Sequence, residues 1–316
     1  MDFIKPTTKR KAIRDRHFHF GSDPVILALL QEAERVAKRN TPILLEGETG
    51  TGKSLVVRKI HELSHRKGSF ISINCASFSS NLLESELFGH AKGAFTGAKE
   101  ARQGLVNAAE HGTLFLDEVG ELPLELQPKL LHLLEEKTFR AVGSDVEQLV
   151  SARIISATNC DLKKLVNDGK FRADLYYRLS VIPFKVPPLR ERTADIQGLT
   201  KSFINELCEE HTLQQPALSQ HCIDSLSQYP WPGNVRELRN HIERALLLDL
   251  SLEKPLTINQ QASPNDSWPT LDKHEKLHIN RTLEFNSGNK SKSALMLGIS
   301  RRTLDRKLKR WQNDAA

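Results

Sequence analysis

Short blocks of apolar residues alternate with longer amphipathic segments along most of the chain. Runs such as Pro42–Leu45 and Thr113–Leu116 have the length of buried strands, and each is followed by glycine or acidic residues. From about residue 21 to residue 190, strand patterns alternate with helix patterns. This order predicts an α/β fold, in which a parallel sheet is covered by flanking helices.

A glycine-rich turn follows the first of these strands. Its sequence is Gly47-Glu48-Thr49-Gly50-Thr51-Gly52-Lys53-Ser54, and the helical run Leu55–Val57 comes next. Between a strand and a helix, this pattern is typical of a phosphate-binding loop. Backbone N–H groups surround a phosphate, Lys53 reaches the β- and γ-phosphates, and Ser54 ligates magnesium. The turn therefore predicts a site for ATP and Mg²⁺.

Two adjacent acids end the second strand. Asp117 and Glu118 follow Thr113–Leu116, and carboxylates at the C-terminal end of a parallel strand face the crevice where open sheets bind ligands. We expect Asp117 to hold the hydrated magnesium and Glu118 to orient and polarise the attacking water. Together with the upstream loop, the pair predicts an ATPase.

The C-terminal segment predicts a helix-turn-helix. Lys292–Leu297 has the pattern of a short helix, Gly298 supplies a left-handed turn residue, and Ser300 can cap a second helix from Arg301 to Trp311. The spacing of Leu304, Leu308 and Trp311 predicts one buried face. A basic coiled or membrane-surface helix fits this pattern less well.

Charge favours the same interpretation. Between residues 271 and 316 there are eleven Lys or Arg and five acids, which accounts for the net charge of +6 of the whole chain. A basic end on a neutral body is typical of a DNA-binding module. We expect Arg301, Arg302, Thr303 and Arg306 to reach base edges, and Lys307, Lys309 and Arg310 to contact phosphates.

The hexapeptide Gly93-Ala94-Phe95-Thr96-Gly97-Ala98 lies between the loop and the acidic pair. Taken by itself it predicts a mobile turn, because Gly gives backbone freedom and the segment has no strand pattern. Phe95 is a large apolar side chain at its centre.

Taken together, these motifs resemble those of the bacterial enhancer-binding proteins, the AAA+ activators of sigma-54 RNA polymerase, joined to a Fis-type helix-turn-helix. The resemblance runs from about Gly21 to Trp311. It implies an AAA+ ATPase with a small α-helical lid, a ring that is a hexamer when active and can be a dimer at rest, and binding to upstream enhancer DNA. It also implies that the hexapeptide grips sigma-54 so that ATP hydrolysis opens the polymerase complex.

The resemblance carries further roles to single residues. Asn74 matches the switch asparagine that contacts the glutamate of the acidic pair, and Thr158-Asn159 matches sensor I. Arg172 and Arg178 match two arginine fingers that act on a neighbouring subunit, and Arg236 matches sensor II. The chain departs from the common family pattern at Ala91, Ser151 and Ala173, without loss of a ligand or a finger.

The same reading sets domain boundaries. We predict a flexible basic segment at 1–20, the α/β ATPase subdomain at 21–190, the lid at 191–250, a linker at 251–270 and the helix-turn-helix at 271–316. About twenty residues before the ATPase are too few for a receiver or sensory domain, so we expect control by an inhibitor or co-activator protein.

Two alternative functions stay open at this stage. One is a regulator of sigma-70 promoters that uses ATP only as an assembly switch, and the other is an ATPase that remodels DNA-bound proteins in replication. The sequence has no signal-peptide core or membrane-length apolar run, which predicts a cytoplasmic protein without membrane insertion. Its four cysteines have no paired spacing and are expected to be reduced.

Overall fold

A computed structural model describes residues 21–95, 97–253, 275, 278–279, 282–283, 286 and 289–313, and of residues 309, 310, 312 and 313 only the main chain. The predictions for residues 1–20 and 254–270, for Thr96 and for the side chains of Lys309 and Arg310 lie outside this part of the chain. The contacts divide the chain into two units, 1–256 and 257–316, each of which is described by itself.

A sheet of five parallel strands forms the centre of the first unit, in the spatial order β2-β5-β8-β1-β9. Its strands are β1 (Ile43–Glu46), β2 (Phe70–Asn74), β5 (Thr113–Asp117), β8 (Arg153–Thr158) and β9 (Ile182–Lys185). The predicted phosphate loop follows β1 and the predicted acidic pair ends β5. Since β8 pairs with both of these strands, both predicted motifs lie at the same edge of the sheet, either side of β8.

Helices cover both faces of the sheet, as the apolar strands require. Ile43 and Leu45 pack with α1 and α2 on one face, whereas Leu44 joins the core under α3, α5 and α7 on the other. The helices are α1 (Pro24–Ala37), α2 (Lys53–Ser64), α3 (Ser80–Phe88), α4 (Leu105–Ala108), α5 (Gln127–Glu136), α6 (Leu162–Asn167) and α7 (Ala173–Leu179).

Two small antiparallel hairpins interrupt this α/β pattern. One consists of β3 (Gly89–His90) and β4 (Arg102–Gln103), and the other of β6 (Thr138–Arg140) and β7 (Glu147–Leu149). A bridge between His90, at the end of β3, and Val142, in the connection from β6 to β7, joins the two hairpins. The first hairpin carries the hexapeptide, so that segment projects from an insertion rather than from a turn of the main sheet.

A helical lid completes the first unit. A short 3-10 helix at Leu189–Glu191 leads into α8 (Ala194–His211), α9 (Gln220–Gln228) and α10 (Asn234–Leu247). These helices enclose a separate core in which Trp231 and Leu238 are fully buried.

The second unit contains α11 (Lys290–Met296) and α12 (Arg301–Asn313). Leu304 and Trp311 are buried against Ile279 and Ala294, and Leu308 packs against them, so the predicted buried face of α12 is confirmed. Ser300 Oγ accepts a hydrogen bond from Thr303 N at 3.1 Å, which confirms the predicted cap.

The four cysteines form no disulfide, and Cys75, Cys208 and Cys222 are buried. Over the described stretches, each helix is too short or too polar to cross a membrane.

Candidate active site

The phosphate-binding loop connects β1 to α2, and Lys53 is the first residue of that helix. Its Nζ donates to Gly47 O at 2.7 Å and to Glu48 O at 3.2 Å, and lies 4.0 Å from Glu118 Oε1. Burial lowers the pKa of Lys53, although Glu118 and Asp117 oppose that shift. In this structure the Lys53 ammonium is therefore hydrogen-bonded to loop carbonyls. An anionic ligand would replace these carbonyls as its partner.

Asp117 and Glu118 face Lys53 from the end of β5. Asp117 Oδ1 accepts from the Glu118 N–H at 3.1 Å, and Glu118 has a left-handed backbone with φ +52°. Glu118 Oε2 in turn accepts from Asn159 N at 3.0 Å. The backbone of Asn159 thus fixes one oxygen of Glu118 and leaves the other near Lys53.

The carboxylate of Asp117 suits a cation. Burial raises its pKa, against the opposing effects of Lys53 and the Glu118 N–H. A half-buried acid of this kind is stabilised as an anion when a cation binds beside it. Ser54 and Asp117 line one cavity, and in the described residues no cluster of three or more His, Cys, Asp or Glu offers a complete metal site. This donor set fits Mg²⁺, which keeps several waters and shares its ligands with substrate phosphates.

A cavity of about 540 Å³ lies between the loop, the acidic pair and the lid. It is lined by Thr49–Leu55, Arg58, Asn74, Asp117 and Glu118 from the α/β part, and by Ser202, Phe203, Glu206, Val235, Arg236 and Arg239 from the lid. Its size falls within the range of small-molecule sites.

Thr158 and Asn159, the predicted sensor I residues, have different positions. Asn159 Nδ2 donates to Thr49 Oγ1 at 3.1 Å, which connects this side chain directly to the phosphate loop. Thr158 is buried instead, where its Oγ1 accepts from Cys160 N at 3.0 Å and its carbonyl accepts from Gly47 N at 3.2 Å. Thr158 therefore supports the phosphate loop through its carbonyl, and it does not line the cavity.

Asn74 lines the cavity, but not with the contact that the resemblance implied. It pairs with Asp117 across β2 and β5, and its Oδ1 accepts from Ala76 N at 2.8 Å. Among the hydrogen bonds of the described residues, Glu118 is bound by Asn159 and not by Asn74. The expected Asn74–Glu118 hydrogen bond is therefore not formed in this structure. Asn74 instead caps the short 3-10 helix at Cys75–Ser77.

Neither predicted arginine finger lines the cavity of its own subunit. Arg172 is exposed at the start of α7 and binds Asp174 through two hydrogen bonds of 3.1 and 2.7 Å. Arg178 is also exposed, and its Nη2 donates to Leu134 O at 3.4 Å. Both guanidinium groups lie on the surface of α7, where a second molecule can reach them.

The lid contributes Arg236 to the cavity lining, together with residues that sequence reasoning missed. Arg236 N donates to Gly50 O at 3.3 Å. Arg58, Glu206 and Arg239 also line the cavity. Arg58 lies one helical turn after Ser54, so its position was readable from the sequence, whereas the lid residues depend on how α8 and α10 pack.

The described residues of the hexapeptide form a tight turn in which Phe95 is exposed and Ala98 is buried. Gly93 N donates to Ala98 O at 2.9 Å, and Gly93 and Gly97 have φ of +82° and +109°, values that favour glycine. Phe95 is 47% exposed and its ring lies 5.0 Å from that of His90, measured between centroids. Ser85 Oγ contacts His90 Nδ1 at 2.8 Å, so the ring under Phe95 is held from below.

On the second unit, Arg302 and Arg306 are exposed on α12. Arg301 is exposed too, with Nη1 3.3 Å from Ser291 Oγ, and Thr303 Oγ1 contacts Ser300 Oγ at 2.8 Å. Lys307 Nζ donates to Glu275 Oε2 at 2.6 Å, and the Lys307 side chain is partly buried.

Family comparisons agree with this architecture. The model of the sigma-54 interaction domain matches residues 19–185. The chain belongs to the sigma-54 activator family. Models of the AAA+ ATPase lid domain and of the Fis family of bacterial regulatory proteins match residues 190–260 and 270–311. The predicted family and the predicted fold class, with its helical lid and helix-turn-helix, are confirmed.

Individual relatives support the same assignment. The regulatory protein AtoC of Escherichia coli K12 is 41% identical over 93% of this chain and 68% of its own length. The alginate biosynthesis regulator AlgB of Pseudomonas aeruginosa is 42% identical over 91% of the chain and 66% of its own length. The chain thus spans about two thirds of the length of these two relatives.

A solved structure matches the fold over most of the chain. NtrX from Brucella abortus has a TM-score of 0.73 and 34% identity, and the match covers 92% of this chain and 68% of that one. Structures of NtrX in complex with ADP and with ATP are also similar.

Proposed function

We propose that this chain is a sigma-54-dependent transcriptional activator that binds upstream DNA and uses ATP hydrolysis to open the sigma-54 RNA polymerase complex. The observation that carries the proposal is the convergence of Lys53, Asp117 and Glu118 on one cavity, with Glu118 held by Asn159 N, in a chain that also presents an exposed Phe95 in the hexapeptide. A nucleotide-binding cavity alone would fit many enzymes. The tip adds a means of acting on a partner.

ATP is the proposed substrate. The loop N–H groups and Lys53 would bind its phosphates, and the complexes of NtrX with ATP and ADP support nucleotide binding at this fold. Ser54 and Asp117 would hold Mg²⁺, which when bound neutralises charge on the phosphate oxygens. The domain boundaries at residues 190, 250 and 270 remain part of this proposal.

Glu118 is the proposed base. Because Asn159 N holds one carboxylate oxygen, the other is free to orient a water and accept its proton. Arg172 and Arg178 lie outside the cavity of their own subunit, so they would act on the ATP of a neighbour. This requires an oligomer, which we propose is a hexamer when active.

We propose the remaining partners from two surfaces, the hexapeptide and the basic side of α12. The hexapeptide, Gly93 to Ala98, would contact sigma-54, and Arg301, Arg302, Thr303, Arg306, Lys307 and Arg310 would contact enhancer DNA. An inhibitor or co-activator protein would supply control. With these partners, the polymerase and the chromosome, the protein would act in the cytoplasm.

Transcription with purified components tests the proposal. We expect the protein to open a sigma-54 promoter in the presence of ATP, and Phe95→Ala to abolish opening while ATP turnover and DNA binding persist, because Phe95 is exposed and distant from the cavity lining. Leu248→Ala removes another exposed apolar side chain, on the lid, and should act like the wild type. Normal opening by Phe95→Ala, or regulation of sigma-70 promoters alone, would contradict the proposal.

A further inference from the structure

Asn234 joins three parts of the first unit. It is the first residue of α10, and its side chain is fully buried. Its Oδ1 accepts from Leu189 N at 2.8 Å, in the segment that leads into the lid. Its Nδ2 donates to Thr49 O at 3.1 Å and to Glu48 Oε2 at 3.2 Å, both in the phosphate loop. One amide thus uses donor and acceptor groups to connect loop, hinge and lid.

The main chains around Asn234 also touch the loop. Arg236 N donates to Gly50 O at 3.3 Å, and a Cβ at Gly50, which has φ +81°, would lie 2.3 Å from Gly233 O. Asn234 itself has φ +53°, an uncommon value that asparagine tolerates better than most residues. The two backbones therefore approach closely because Gly50 has no side chain and because Asn234 tolerates a left-handed backbone.

Arginines on the hinge side hold the neighbouring loop groups. Arg190 forms two hydrogen bonds with Glu48, of 2.8 and 2.6 Å, and Arg192 Nη2 donates to Thr51 O at 2.6 Å. The hydrogen bonds from Arg190 and then Asn234 lower the pKa of Glu48 to about 2. The loop's one carboxylate therefore stays ionised, with its charge balanced by Arg190 and a hydrogen bond from the Asn234 amide.

These contacts determine which way the loop amides face. In a trans peptide the C=O and the following N–H point in opposite directions. Asn234 fixes the carbonyl of Thr49, and Arg192 fixes that of Thr51, so the N–H groups of Gly50 and Gly52 point to the opposite side of the loop from these partners. N–H groups aligned in this way are what an anion-binding loop requires.

We propose that Asn234 is a positioning residue that holds the phosphate-binding loop in its anion-binding conformation and makes that conformation depend on the lid. The inference rests on the proposed ATPase function. It places the coupling between lid and loop in a side chain that need not touch the nucleotide.

The test replaces the amide without changing its shape. Asn234→Asp keeps the acceptor for Leu189 N but sets carboxylate oxygens against Glu48 and the Thr49 carbonyl. Asn234→Gly keeps the left-handed backbone and removes the side chain. We expect Asn234→Asp to weaken the affinity for a fluorescent ATP analogue by roughly tenfold or more, and Asn234→Gly to weaken it by a smaller factor.

A second substitution should restore binding. In Asn234→Asp with Glu48→Gln, the glutamine amide can donate to the new carboxylate and removes the repulsion, so affinity should recover most of the way. The variant Asn107→Asp is the matched control, because Asn107 donates to Gln148 at 2.9 Å on a hairpin outside the cavity. It should bind the analogue like the wild type, and thermal unfolding of all variants identifies any that fail to fold.

The outcomes separate the two proposals. Failure of the wild type to bind ATP would overturn the proposed function, and this inference with it. Wild-type binding with unchanged affinity in folded Asn234→Asp, or no recovery on adding Glu48→Gln, would overturn the role of Asn234 alone. A raised KM for ATP with a smaller change in kcat is the expected kinetic signature of a positioning role.

Discussion

Glu118 has two oxygens in different environments, one bound by Asn159 N at 3.0 Å and one 4.0 Å from Lys53 Nζ. Glu118→Gln keeps the size and the acceptor for Asn159 but removes the basic carboxylate. We expect turnover to fall by roughly 10²- to 10⁴-fold while nucleotide binding persists. Phosphate release and analogue binding measure the two effects.

Glu121 provides the control for that experiment. It lies three residues further on, is exposed and does not line the cavity. Glu121→Gln should hydrolyse ATP at close to the wild-type rate. Appreciable turnover by Glu118→Gln would remove Glu118 from its proposed role.

Arg153 shows how a charged residue can serve the core. It is buried in β8, and its guanidinium donates to Ala37 O and to Val36 O at 3.1 Å, at the C-terminus of α1. Burial lowers its pKa to about 10, so it remains charged near neutral pH. Arg153→Met should lower the free energy of unfolding by about 2–4 kcal/mol, because these carbonyls lose their donors.

Urea denaturation followed by circular dichroism measures this change. Arg140→Met is a matched control, since Arg140 is exposed and pairs with Glu147 on a hairpin. Arg140→Met should lower the free energy of unfolding by less than about 1 kcal/mol. Equal stability of Arg153→Met and the wild type would show that the carbonyl groups at the C-terminus of α1 find other hydrogen-bond donors.

At the scale of elements, the sequence was most informative where chemistry is local. The phosphate loop and the Asp117–Glu118 pair are contiguous motifs, so they were predictable together with the strands before them. In the second unit the predicted helix at Lys292 begins at Lys290 instead, because Asn289 Oδ1 accepts from Lys292 N at 3.1 Å and sets its start.

Contacts between distant segments were not predictable. Asn234 and Thr49 are 185 residues apart, and Arg153 and Ala37 are 116 apart. No spacing rule relates such pairs, since they depend on how the lid and α1 pack. The Asn74–Glu118 contact failed for a related reason: a competing local partner, Ala76 N, was two residues away.

The recognition helix α12 permits a graded prediction. Arg302 and Arg306 are exposed, whereas Lys307 is bound by Glu275. Arg302→Ala and Arg306→Ala should each weaken specific DNA binding by about 1–3 kcal/mol, and Lys307→Ala should have less effect. Fluorescence anisotropy with operator DNA at several salt concentrations measures this, and a larger loss for Lys307→Ala would contradict the assignment.

At the scale of the whole molecule, the cavity and the predicted fingers do not meet within one subunit. Arg172 is held by Asp174 on the surface of α7, and both side chains are about half exposed. An exposed pair of this kind is weak, so Arg172 can exchange Asp174 for a stronger anionic partner. A phosphate of a neighbour's ATP would be such a partner, and under the proposed function two subunits would then complete each active site.

Mixing two inactive variants tests this arrangement. Glu118→Gln has a defective pocket but intact fingers, and Arg172→Ala has an intact pocket but lacks a finger. In an equal mixture that assembles at random, about a quarter of the interfaces join an intact pocket to an intact finger, so ATP turnover should recover to about that fraction of the wild type. Fingers that act within their own subunit would give no recovery, because each protomer would still contain one lesion. Arg140→Ala mixed with Glu118→Gln is the control for dilution, since Arg140 is exposed on a hairpin and should supply a fully active protomer.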